Sequence, residues 1–236
     1  MQSCSKLMKV AAYSGISNLY NYDLTSSQAY IALHEMRRYG IECHWLEDYI
    51  ADSNKKAEYA KDVGITVAAW KQCLYTLLMG GPLPTNATSA FVSKVSILDY
   101  LGRGEVSIEV VSERLSKLWT VLKPFRKPLK LWHKAVLTEA KDNDGIITNS
   151  LGLTRQLKRG ELERAAPIIA HKLQGAEAQY IHTVTVIAED FDFVPLGNEH
   201  DGLITLGEIP NEAIEYAGML TGMPYLDLEA VVKDQN

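Results

Sequence analysis

The chain has little of several things that would declare a function at once. Among 236 residues there are three cysteines, Cys4, Cys43 and Cys73, odd in number and without a CxxC pair. That argues against a zinc knuckle and favours a reducing compartment, with the three read as small buried apolar residues. No apolar run reaches the length of a bilayer span. The first residues, MQSCSKLMKVAAY, are too short and polar for a secretion signal. The chain therefore reads as cytoplasmic, or as internal to a host cell if viral. There is no internal repeat and no low-complexity stretch. The histidines, among them His34, His133, His171 and His182, show no metal-ligand spacing. Excess basic charge is missing too: the formal net charge is -5, with a pI near 5.7. Nucleic-acid binders more often carry a basic balance, although a basic cleft can lie within an acidic surface.

What is there is ordinary globular material, 47% apolar and 22% charged, enough to bury a sizeable core. Short apolar stretches broken by Gly15, Ser17 and Asn18 read as a turn leading into a strand at residues 19–24. Thr25 or Ser26 offers an N-cap for a helix through Arg38, which Gly40 stops. Residues 44–80 carry helical spacing, ended by Gly80, Gly81 and Pro82. Residues 86–142 read as mixed and mostly helical, with a basic stretch, KLWTVLKPFRKPLK, at Lys117–Lys130. Asn143, Asp144 and Gly145 make a turn. Residues 161–191 form a long helix started or interrupted by Pro167. Residues 194–208 read as a hairpin turning around Gly197 and Asn198, and Pro210 opens a further helix. Residues 226–232 end the chain as a strand or a helical turn. This order predicts an α+β fold, a small antiparallel sheet with helices behind it and a helical insertion between residues 41 and 160.

Two aspartates stand where such a backbone exposes them. Asp23 closes a strand ahead of a helix, and Asp201 lies in His200-Asp201-Gly202 at the hairpin tip. Two carboxylates close together on a sheet can hold two Mg2+ ions, which take hard oxygen ligands and assist in-line phosphoryl displacement. Singly, each has a plainer reading: a helix cap for Asp23 and a turn for Asp201. Lys71 and Tyr75 share one helix face and suit a triphosphate and a base; a solvated lysine beside a half-buried tyrosine is the plainer reading. Arg155, Lys158 and Arg159 form a basic patch fit for phosphate, or a solvated loop.

In order and context these segments resemble a known family. Asn21-Tyr22-Asp23-Leu24-Thr25-Ser26-Ser27-Gln28 resembles motif A of the family A nucleic-acid polymerases, a strand and aspartate running into a helix. Lys71 through Gly80 is similar to motif B, the fingers helix. Gly145 through Arg155 is similar to the stretch before the next long helix. Leu162 through Pro167, followed by Leu173-Gln174-Gly175-Ala176-Glu177-Ala178, resembles the Gln-Gly segment of bacterial DNA polymerase I. Glu199-His200-Asp201-Gly202-Leu203 resembles motif C. The likeness spans nearly the whole chain in the right order, and its Gln-Gly and His-Asp elements are the most specific.

The resemblance implies a right-hand polymerase without a thumb: palm at residues 1–40 and 161–236, and a helical fingers lobe at 41–160. It implies that Asp23 and Asp201 ligate two Mg2+ ions with help from the Leu24 carbonyl. Lys71 would contact the triphosphate, and Tyr75 the sugar and base. Arg155, Gln174 and His200 would approach primer or template. At the position of Gln28 a bulky residue disfavours a ribose 2′-hydroxyl, so with Tyr75 it leans towards deoxynucleotides. The sequence departs from the family at Val67, where an arginine is usual, at Met79 in place of an aromatic residue, and at Gly202 in place of glutamate. The implied partners are DNA primer-template, nucleoside triphosphates and a second chain supplying the thumb, as in split phage-type enzymes. Two other readings stand beside the DNA polymerase: a split single-subunit RNA polymerase, and a non-catalytic nucleic-acid-binding remnant of the fold.

Overall fold

The computed structural model of the chain describes residues 15–87, 107–199, 202–224 and 226–230. Its elements are β1 (Leu19–Leu24), α1 (Ser27–Arg38), α2 (His44–Ala51), α3 (Lys55–Val63), α4 (Val67–Leu78), α5 (Ile108–Val121), α6 (Lys123–Asp142), β2 (Ile146–Thr148), β3 (Thr154–Gln156), α7 (Ala165–Val186), a 3-10 turn (Ile187–Asp190), β4 (Val194–Glu199), β5 (Gly202–Leu206), α8 (Asn211–Thr221) and β6 (Leu228–Ala230). The fold is α+β, with a small antiparallel sheet and a preponderance of helix.

The chain divides into two compact units, one of residues 1–31, 148–154 and 171–236, the other of 32–147 and 155–170. The first contains the four-stranded sheet, in the order β4-β5-β1-β6. Every neighbouring pair is antiparallel. Side chains alternate along β1, with Tyr22 and Leu24 buried and Asp23 exposed. That period of two is the pleat of a strand with one face covered, and the strand spans the residues expected of it. Tyr180 of α7 is buried, and its hydroxyl lies 3.1 Å from the Ile214 carbonyl and 2.9 Å from that of Leu226. One side chain thus ties α7 to α8 and to the approach to β6.

The hairpin corrects one expectation. Gly197 and Asn198 are not its turn: β4 runs through them to Glu199, and its register against β5 shifts between Pro195 and Gly197. Pro195 has no N–H for a ladder, and β4 is an edge strand, where proline and an irregular register are tolerated. His200 and Asp201 lie outside the described residues. Pro210 is the N-cap of α8, one residue before its first turn. The short ladder of β2 and β3 appears where only turns were foreseen.

The second unit is helical. Thr66 caps α4 by accepting a 3.1 Å bond from the Ala69 N–H. Gly80, with φ 75°, ends the segment after α4 in the left-handed region that glycine enters without strain. Trp45 stacks on Tyr59 at 5.5 Å and on Phe125 at 5.1 Å between centroids, which joins α2, α3 and α6 through aromatic surface. Trp70 and Trp132 are fully buried in the same unit. Pro128 sits inside α6, near its start. The basic run of the sequence lies on α5 and α6. Among the described residues no helix is long and apolar enough to cross a membrane.

Candidate active site

The centre of the site is the end of β1. Asp23 pairs with Gly202 across the β1–β5 ladder and with Glu229 across the β1–β6 ladder. Gly202 directly follows Asp201 in the chain. Residues directly opposite each other in a sheet project from the same face. Asp23 and Glu229 are both exposed there. Glu229 carries no motif signal; its place beside Asp23 arises from the pairing of β6, which periodicity does not encode.

Beyond Leu24 the backbone bends sharply. The Thr25 N–H donates to the Asp227 carbonyl at 3.0 Å, and Ser26 adopts φ 52°. A non-glycine residue in that region is uncommon and carries strain. The Ser26 carbonyl then accepts from the N–H groups of Ala29 and Tyr30, each at 3.1 Å, and α1 begins. Gln28 lies half-buried in its first turn. Beneath it the Ser27 hydroxyl donates to Glu177 of α7 at 2.6 Å, between two buried side chains. This bond joins the segment after Asp23 to the Gln-Gly segment, and neither partner stood out in the sequence.

Gln174 is exposed on α7, and Gly175 beside it is buried. A Cβ built on Gly175 would stand 2.4 Å from the Cβ of Asn149. Asn149 is itself fixed, since its Oδ1 accepts from the N–H groups of Leu151 and Leu153, each at 3.1 Å. Glycine is required at 175 by this close approach.

Lys71, Tyr75 and Arg155 belong to the second unit. Lys71 is exposed on α4, with Tyr75 half-buried one turn later. Val67, at the family's arginine position, is also exposed. Arg155 is exposed and ion-paired to Glu161, whose other oxygen accepts from the Lys158 N–H at 2.9 Å. A cavity of about 540 Å³ in this unit is lined by Tyr39, Lys134, Glu139, Asp142 and neighbours, and by none of the residues singled out from the sequence.

The Asp23 carboxylate offers hard oxygens of the kind Mg2+ takes, exposed near the end of an inner strand. Among the described residues no group of three or more His, Cys, Asp or Glu side chains is arranged to hold a metal ion.

Comparison with known proteins gives a likeness of fold. No family model matches the chain, and no curated protein does. Among solved structures it is similar to the POL domain of Pol1 from M. smegmatis, in complex with DNA primer-template and dNTP, at a TM-score of 0.57 and 14% identity. The match covers 92% of this chain and 39% of that one, so the chain spans about two fifths of the matched chain's length. The fold of this protein is accordingly a polymerase-like one.

Proposed function

We propose that the chain is the catalytic palm and fingers portion of a template-directed nucleotidyltransferase, a DNA polymerase of the family A type. The observation that carries this reading is the β1–β5 register, in which Asp23 stands opposite the residue that follows Asp201. Segments nearly 180 positions apart meet at one end of one sheet, which supports a pairing of carboxylates there. The polymerase-like fold supports it further.

In the proposed reaction the primer 3′-hydroxyl attacks the α-phosphorus of a bound deoxynucleoside triphosphate, a P–O bond forms in line, and pyrophosphate leaves. Asp23 and Asp201, with the Leu24 carbonyl, would hold two Mg2+ ions, which supply charge for the attacking and leaving oxygens. Lys71 would meet the triphosphate as a point charge, and Tyr75 would stack against the base. Gln28 would crowd the sugar 2′ position. Gln174, His200 and Arg155 would orient primer and template; Arg155 would first exchange its partner Glu161 for phosphate.

The test is primer extension on a primed DNA template with Mg2+, supplying deoxynucleotides and ribonucleotides separately. Extension that Asp23→Asn and Asp201→Asn each reduce by more than about a hundredfold bears the reading out. A preference for ribonucleotides, or its appearance on Gln28→Gly, would instead favour the RNA polymerase. DNA binding without extension, unchanged in both aspartate variants, would favour the non-catalytic remnant.

A further inference from the structure

Helix α6 carries a one-sided row of cations that the proposed site does not use. Lys123, Arg126, Lys127, Lys130, Lys134 and Lys141 are all exposed. At 3.6 residues per turn they fall within about 60° of one line along the helix. The opposite face, Phe125, Leu129, Trp132, Val136 and Ala140, is buried. Glu139 accepts the Tyr39 hydroxyl and, with Asp142, borders the depression that Lys134 also lines. None of the six cations forms an ion pair with another described residue. Arg126 has one further contact, 5.0 Å over the ring of Trp119, whose indole N–H is anchored on the Pro84 carbonyl at 2.9 Å.

A row of like charges costs self-repulsion, and this one persists in a protein whose net charge is -5. We propose that this face of α6 is a binding surface for a nucleic-acid phosphate backbone. From Lys123 to Lys141 the row runs ~27 Å at ~1.5 Å per residue. One strand places a phosphate about every 3.4 Å along the axis, so the row faces roughly eight of them. A bilayer fits poorly, because an interfacial helix inserts an apolar face and that face of α6 is already buried. The contacts are to phosphate and carry no base information, so binding along α6 is indifferent to sequence. This surface is independent of nucleotidyl transfer.

The experiment is fluorescence anisotropy of the purified chain with a short labelled duplex and its single strand, across about 50 to 200 mM salt. The variants are Lys127→Glu with Lys134→Glu, the same pair changed to Arg, and a control of equal charge, Lys56→Glu with Lys61→Glu on α3. Circular dichroism and melting confirm that each folds. The stripe variant should bind at least about tenfold more weakly, and its log–log salt slope should be shallower by about 2 for duplex. The arginine pair should bind as the parent does. Preference between duplex and single strand identifies which backbone the row serves. Equal weakening by the α3 control would show an effect of net charge alone and overturn the proposal. So would unchanged binding and slope in the stripe variant. The readout is binding, so a chain that extends no primer can still bear the proposal out.

Discussion

Asp23 and Glu229 stand directly opposite each other on β1 and β6, two exposed carboxylates on neighbouring strands. Like charges so paired oppose the ladder that brings them together, at a cost of about 0.2–1 kcal/mol. Glu229→Gln should therefore raise stability by a few tenths of a kcal/mol in dilute buffer, on the scale of such pairs. The gain should shrink towards zero near 1 M salt, where the screening length is about 3 Å. Urea titration at two ionic strengths reads both. A gain that ignores salt would mean that something other than repulsion is being relieved.

The contact between Gly175 and Asn149 predicts a coupled pair. Gly175→Ala forces a Cβ to 2.4 Å from that of Asn149 and should cost about 1–3 kcal/mol, as overpacking does. In an Asn149→Gly background the obstructing Cβ is gone and the same change should cost markedly less. A double-mutant cycle that returns simple additivity would rule out the clash.

Ser27→Ala removes a 2.6 Å donor from the buried Glu177. The expected loss is about 1–3 kcal/mol, the scale of a buried hydrogen bond to a carboxyl group. Ser27→Thr keeps the hydroxyl and should lose less.

Stability should fall as the pH drops below neutrality, and His133 should account for part of the slope. Burial pulls this imidazole below its ordinary value of 6.5, against a smaller opposite effect of its 3.3 Å contact with the Leu78 carbonyl. A group whose folded value is depressed stabilises fully above its unfolded value; that contribution is lost as pH falls from about 6.5 towards the folded value. His34 acts in the same direction, chiefly through burial. The exposed His44 acts oppositely, raised by its bond to Glu47. Melting of His133→Gln and the parent at pH 7.5 and 5 checks this: the pH sensitivity should be weaker in the variant.

Burial pushes the Cys73 thiol up to about 12, and Cys43 is raised by the same cause. In a Cys4→Ser background, thiol reagents should label both only at the rate of unfolding. Fast labelling at neutral pH would contradict their burial.

Much of the local structure was legible. The strand Leu19–Leu24, the helix ending at Arg38 and the stop at Gly80 follow from turn residues, helical spacing and glycine, all short-range properties of the chain. The path of β4 was not. Gly197 and Asn198 have turn chemistry, yet the ladder with β5 holds them in a strand, because pairing with a buried neighbour outweighs local preference.

The candidate site divides the same way. Asp23 ahead of a helix, and Lys71 and Tyr75 on one face, follow from residue type and period, which operate within a single element. The pairing of Asp23 with Gly202 and Glu229, the bond from Ser27 to Glu177, and the contact that demands glycine at 175 join residues far apart in the chain. Their partners are chosen by strand register and helix packing, which minimise exposed apolar surface and unpaired backbone over the whole fold. No window of the sequence contains that choice.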